Sequence, residues 1–306
     1  NNVALGYQAL TNFTTGGANV ALGHSALKNI ASGQSNIAIG YQALLDADLN
    51  EEFNIAIGTN AMENLNYNGS GNNIALGLNA MQGGSITAQI TDNIAIGQYA
   101  LGSITTADEQ VAIGGYALYR LTTGANNIAI GYTALSNHTT GGANIAIGRN
   151  AMFDTDAGST SLGSEHNIFI GSSAGGGVWA DAASNYNVGI GNYSMDAALN
   201  GALNNTALGH YTLSSLTEGD SNVALGYNAG GSLTTGATNI LIGRNAGSSG
   251  TDMAYTVIIG HEAGDAINTN NSQGSVIIGY QAGTTMTAGA NTYIGYEAGR
   301  YSTTGY

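Results

Sequence analysis

The chain has 306 residues, 48 of them glycine, with no cysteine, no proline and a net charge of −14 from five basic against nineteen acidic side chains. That charge opposes the phosphate neutralisation on which nucleic-acid binding depends. The missing cysteines rule out a disulfide framework while leaving the redox compartment open, and no apolar run reaches the roughly eighteen residues of a membrane span.

Read from the N terminus, the first predicted element is a short strand, Asn2 to Gly6, and the same phrase, Asn-Ile-Ala-Ile-Gly or a close variant, returns throughout the chain. Its seventeen glycines are Gly6, Gly23, Gly40, Gly58, Gly77, Gly97, Gly114, Gly131, Gly148, Gly171, Gly191, Gly209, Gly226, Gly243, Gly260, Gly279 and Gly295. They are spaced 17, 17, 18, 19, 20, 17, 17, 17, 23, 20, 18, 17, 17, 17, 19 and 16 residues apart. A period this short means a solenoid, in which each coil covers its apolar side by stacking on its neighbours. The predicted fold is therefore all-β, a parallel β-solenoid of about 17 coils, and residues 1–306 read as a single continuous array with no separate domains. At a strand spacing of ~4.8 Å the coils would stack to roughly 80 Å.

Aligned on the glycine, each position of the coil acquires a role. Three residues before it stands Val, Ile or Thr, and one before it Ile or Leu; being two apart they share a strand face, expected to fill the coil. Four before it is Asn in all copies but Gln110, Thr256 and Ser275, a column whose amides can form an axial ladder. The glycine itself is expected to end the strand with a positive φ or a close backbone approach. Three residues past it is Ala, except Ser194 and Thr212, implying a crowded inward site.

One pair of positions trades volume. Where the middle strand residue is small, as in Ala38, Ala129 and Ala146, the residue four past the glycine is Leu44, Leu135 or Met152; where it is large, as in Phe169, Leu241, Ile258, Ile277 and Tyr293, the partner is Gly175, Gly247, Gly264, Gly283 or Gly299. Ala224 with Gly230 is small at both. Close-packed interiors accept volume-conserving exchanges best, so the two positions share a pocket, here expected between coils of different chains.

The phrase Asn-x-[Val/Ile]-Ala-[Ile/Leu]-Gly-x-x-Ala resembles the head repeats of trimeric autotransporter adhesins, and residues 126–148, NNIAIGYTALSNHTTGGANIAIG, are similar to arrays in phage tail fibres and bacterial surface fibres. The resemblance covers all seventeen copies, although this repeat is longer than the adhesin one and residues 1–306 read as repeat alone, without the family's stalk, anchor or chaperone sequences. It implies a left-handed β-roll, a homotrimer, and a fibre segment that lends length, rigidity and adhesion at a cell surface or on a virion. Self-association, lateral and head to tail, and a surface glycan or protein receptor are the partners so implied. Neither a cofactor nor a membrane insertion is expected. The rival from another class is a carbohydrate-binding or carbohydrate-active β-solenoid.

Several local features are weighed for chemistry. GSSAG, Gly171 to Gly175, matches a Gly-x-Ser-x-Gly elbow in letters, yet that motif needs a strand feeding a helix, so no catalytic residue is expected. Asp154, Asp156, Gly158 and Glu165 fall short of a calcium loop, so no metal is expected and the stretch reads as a solvated bulge. The acidic insertion with Asp46, Asp48, Glu51 and Glu52 reads as a solvated loop in the same way. Tyr7, Tyr41 and Tyr132 share the position after the glycine with His24, His210 and His261, a column of partly exposed rings that could pack chains together or stack on sugars. Trp179, in a glycine-rich insertion, is a candidate for displayed recognition, together with the bulges at 152–166 and 175–187. Without an initiator Met or a leader, the chain reads as a mature or excised segment. Its end GRYSTTGY followed by its start NNVALG restores a 17-residue period, which fits units stacking end to end.

Overall fold

The computed structural model describes residues 1–47, 50–84, 86–155, 163–179, 182–267, 273–286 and 289–302. The chain falls into two compact units, Asn1–Arg149 and Asn150–Tyr306. Each is a run of the same coil, and no described residue is helical. The first unit carries nine motif strands, from Val3–Leu5 to Ile145–Ile147, and the second carries eight, from Ile168–Ile170 to Thr292–Ile294. Within each unit successive strands pair in parallel and in register, as in Ile128↔Ile145 with Ala129↔Ala146, and Val188↔Thr206 with Gly189↔Ala207. The parallel solenoid expected from the period is the fold observed.

The backbone alternates between stacking and turning. Gly131 accepts the N–H of Ala134 at 3.3 Å, closing the turn, while the Gly131 N–H bonds to the Ile113 carbonyl one coil back at 2.8 Å. Thr133 and Leu135 have φ of 55° and 50°. This left-handed backbone breaks the strand alternation, so the consecutive residues Ala134 and Leu135 both reach the core and are fully buried. Gly131 has φ 138°, and a Cβ there would lie 2.4 Å from the carbonyl oxygen of Gly148 in the next coil. Both reasons for glycine therefore hold at once: a conformation closed to L side chains and a neighbour with no room.

The asparagine ladder runs through the interior of both units. The Asn205 backbone N–H and Nδ2 each donate to Oδ1 of Asn187 at 3.0 Å, and Nδ2 also donates to the Gly219 carbonyl at 2.7 Å. Two exceptions keep the function with other chemistry. Gln110 accepts from the Asn127 N–H at 3.2 Å, and the Thr256 hydroxyl donates to Asn239 at 2.7 Å. Burial makes these bonds matter, because an amide left unpaired in the core would cost ~1–3 kcal/mol.

The filling of the coil corrects the sequence reading. It is the middle strand residue that faces inward: Ala38, Ala129, Ala146, Phe169 and Leu241 are fully buried, while the flanking Val, Ile and Leu face outward. The reason is the ladder. Asn and the middle residue are two apart and so share a face, and the amide needs the interior carbonyls.

The shared pocket accordingly lies inside one chain, not between chains. A Cβ on Gly175 would meet the Phe169 ring at 2.8 Å, and one on Gly299 would meet the Tyr293 ring at 2.4 Å. The exchange also crosses coils, since a Cβ on Gly189 would meet Phe169 at 2.5 Å. That explains the pair small at both positions: the space beside Ala224 and Gly230 is taken by Leu241 and Leu213 of the adjoining coils, 2.6 and 2.8 Å from a Cβ on Gly230.

Candidate functional site

Tyr7 and Tyr41 flank His24, with ring centroids 5.1 Å apart on each side, and both tyrosines are largely exposed. Tyr132, 54% exposed, meets Tyr116 edge-on at 6.2 Å. In the second unit His261, Tyr280 and Tyr296 stack at 5.5 and 5.2 Å with interplanar angles of 12°. The coil spacing sets these distances, so any two rings at this position on adjacent levels are brought into stacking range. Beside the second column Arg244 Nη1 lies 3.0 Å from His261 Nε2. Because arginine can only donate, the imidazole nitrogen is the acceptor in this contact. The Gln281 amide donates to Glu262 at 2.7 Å and, with His261 and Arg244 nearby, holds the Glu262 carboxyl below the usual range.

Trp179 is not a displayed ring. It is fully buried, its Nε1–H donates to the Gly175 carbonyl at 3.0 Å, and its ring meets Phe169 edge-on at 5.8 Å. This ring of the insertion therefore belongs to the core, while Val178 beside it is 53% exposed. Ser173 of GSSAG sits in the turn after the strand with φ 54°, with no helix following it. Asp156, Gly158 and the rest of 156–162 within the 152–166 bulge lie outside the described residues. Among the described residues no group of three His, Cys, Asp or Glu side chains could hold a metal ion. The junction sequence at 303–306 also lies outside the described residues.

The acidic insertion differs from a solvated loop. Asp48 lies outside the described residues, but Glu51 is fully buried, with its carbonyl accepting from Asn36 Nδ2 at 2.7 Å. Glu52 bridges in parallel to Gln34 and Gly71, and Gly71 in turn to Thr91, continuing in the first unit a second stacked wall that begins where Thr15–Gly17 pairs with Ser32–Gln34. A groove of about 470 Å³ opens on that wall, lined by Asn50, Glu52, Phe53, Asn72, Gln89 and Thr91 among others. Sequence reasoning missed it. Its signal was the run of spacings 18, 19 and 20 from Gly40 to Gly97, which inserts residues at the same side of consecutive coils.

Comparison with known proteins finds no matching family, no matching curated protein and no matching solved structure.

Proposed function

We propose that this chain is a structural segment of an extracellular or virion fibre, assembled as a homotrimer through the outward faces of its motif strands. The observation that carries the reading is the contrast between the two sides of each strand. Inward positions are filled and closed within a single chain, while the outward columns remain apolar and partly exposed, among them Ile57, Leu208, Val223, Leu225 and Ile240. In each unit these side chains repeat in register from coil to coil, which makes a ridged apolar strip with no polar interruption at either flanking position apart from Thr206 and Thr292. Apolar surface of that continuity is a protein–protein contact surface, and the resemblance to trimeric fibre repeats supplies the number of partners.

Sedimentation at micromolar concentration is expected to give three times the chain mass of 30.8 kDa. Ile113→Lys together with Ile130→Lys, both on the outward face of the first unit, is expected to yield monomers. A folded, stable monomer of the unaltered chain would overturn the proposal.

A further inference from the structure

We propose that the groove on the second wall of the first unit is a binding site for a neutral oligosaccharide lying along the stacking axis. Its volume falls in the roughly 300–1,000 Å³ range of small-molecule sites. The lining chemistry selects the ligand class. Asn50, Asn72 and Gln89 offer amides, Thr91 a hydroxyl and Glu52 a carboxylate, a set of donors and acceptors suited to hydroxyl groups. No cation lines the groove and its one charge is negative, which disfavours sulfated, phosphorylated or sialylated ligands.

At the rim stands Phe53, 53% exposed, with φ 59°. The equivalent residues of the adjoining coils, Ser35 and Asn72, have φ of 59° and 58° but are small and polar, so nothing in the coil itself calls for a phenyl ring here. An exposed aromatic ring beside a cluster of amides provides what a pyranose needs, an apolar face for its C–H groups and partners for its equatorial hydroxyls. Gly71 also lines the groove, and the coil stack holds that position to glycine, since a Cβ there would lie 2.7 Å from the Glu52 carbonyl oxygen.

Ligand length follows from a second, smaller hollow of about 150 Å³, lined by Thr15, Ser32 and Gln34 and sharing Asn50 and Glu52 with the first. Gln34 Nε2 donates to Glu52 Oε1 at 2.9 Å, and the Ser32 hydroxyl donates to Asn50 Oδ1 at 2.7 Å, which fixes the shared residues between the two hollows. Adjacent hollows with common walls accommodate consecutive sugar units. This site is independent of trimer formation: a chain that proved monomeric could still bind, and a trimer could fail to.

The test is a glycan array carrying maltohexaose, cellohexaose, N-acetylchitohexaose and sialyllactose, followed by calorimetric titration of whichever sugar is retained. At least one neutral oligosaccharide is expected to bind, with Phe53→Ala weakening it about tenfold or more. Tyr255→Ala, at the equivalent coil position of the second unit, is expected to leave binding within about twofold. Should Phe53→Ala fail to fold, the exposed Gln89→Ala replaces it, with loss of affinity again expected. Absence of binding to every neutral sugar, preference for sialyllactose, or unchanged affinity in a folded Phe53→Ala or Gln89→Ala chain would overturn the proposal.

Discussion

Replacing Phe169 by Ala should empty a large core site of the second unit, since that ring is fully buried against Trp179 and over Gly189. Such truncations cost about 3–5 kcal/mol through lost transfer energy and the residual cavity. Gly175→Leu alone should also destabilise, because its Cβ would lie 2.8 Å from the Phe169 ring. Overpacking of this kind costs about 1–3 kcal/mol. Combined, the two changes should offset each other. The double variant recreates the Ala129 and Leu135 pairing, and Gly175 has φ 59°, close to the 50° at which Leu135 is held. A coupling of at least ~2 kcal/mol is expected from residues in direct contact. Denaturant unfolding of the four chains measures it. Because the pocket is enclosed by one chain, the coupling should not change over a tenfold range of protein concentration. Strict additivity would refute the shared pocket, and a coupling that grows with concentration would place it between chains.

Two further outcomes test the core and its charge. Asn205→Ala removes the acceptor of two bonds from Asn222, each 3.0 Å, and the donor to Gly219. The chain should lose about 3 kcal/mol, at ~1–3 for each buried group left without its partner, and Asn205→Ser should recover less than Asn205→Gln if reach into the ladder matters. Asp196 is a carboxylate whose pKa is raised by burial. The folded state therefore binds its proton more tightly than the unfolded chain, and the contribution to stability is present below the ordinary value of 3.8 and lost as pH rises through the folded pKa. Asp196→Asn should raise the melting temperature at pH 7 and leave it nearly unchanged at pH 3; an equal shift at both would show that the charge is not responsible.

The repeat, the parallel stack, the axial amide ladder and the glycine column are properties of the sequence, since each follows from a periodicity or a recurrent position whose chemistry has one economical use. The volume exchange between positions such as Phe169 and Gly175 was likewise legible as a contact. What the sequence left open was which way the strand faces. Alternation fixes that Ile128 and Ile130 share a side and that Ala129 opposes them, but hydrophobicity alone favours putting the isoleucines inside. The decision is made in three dimensions, where left-handed turn residues send Ala134 and Leu135 together into a lumen already claimed by Asn127, leaving room for one small strand residue. Tertiary structure also decided the fate of the insertions: Trp179 became core against the Phe169 ring with its N–H on the Gly175 carbonyl, and Glu52 came to line a groove with Phe53 because it stacks on Gln34 and Gly71 of the coils on either side. A local pattern can state which residues go together; whether they meet solvent or each other depends on what the next coil places against them.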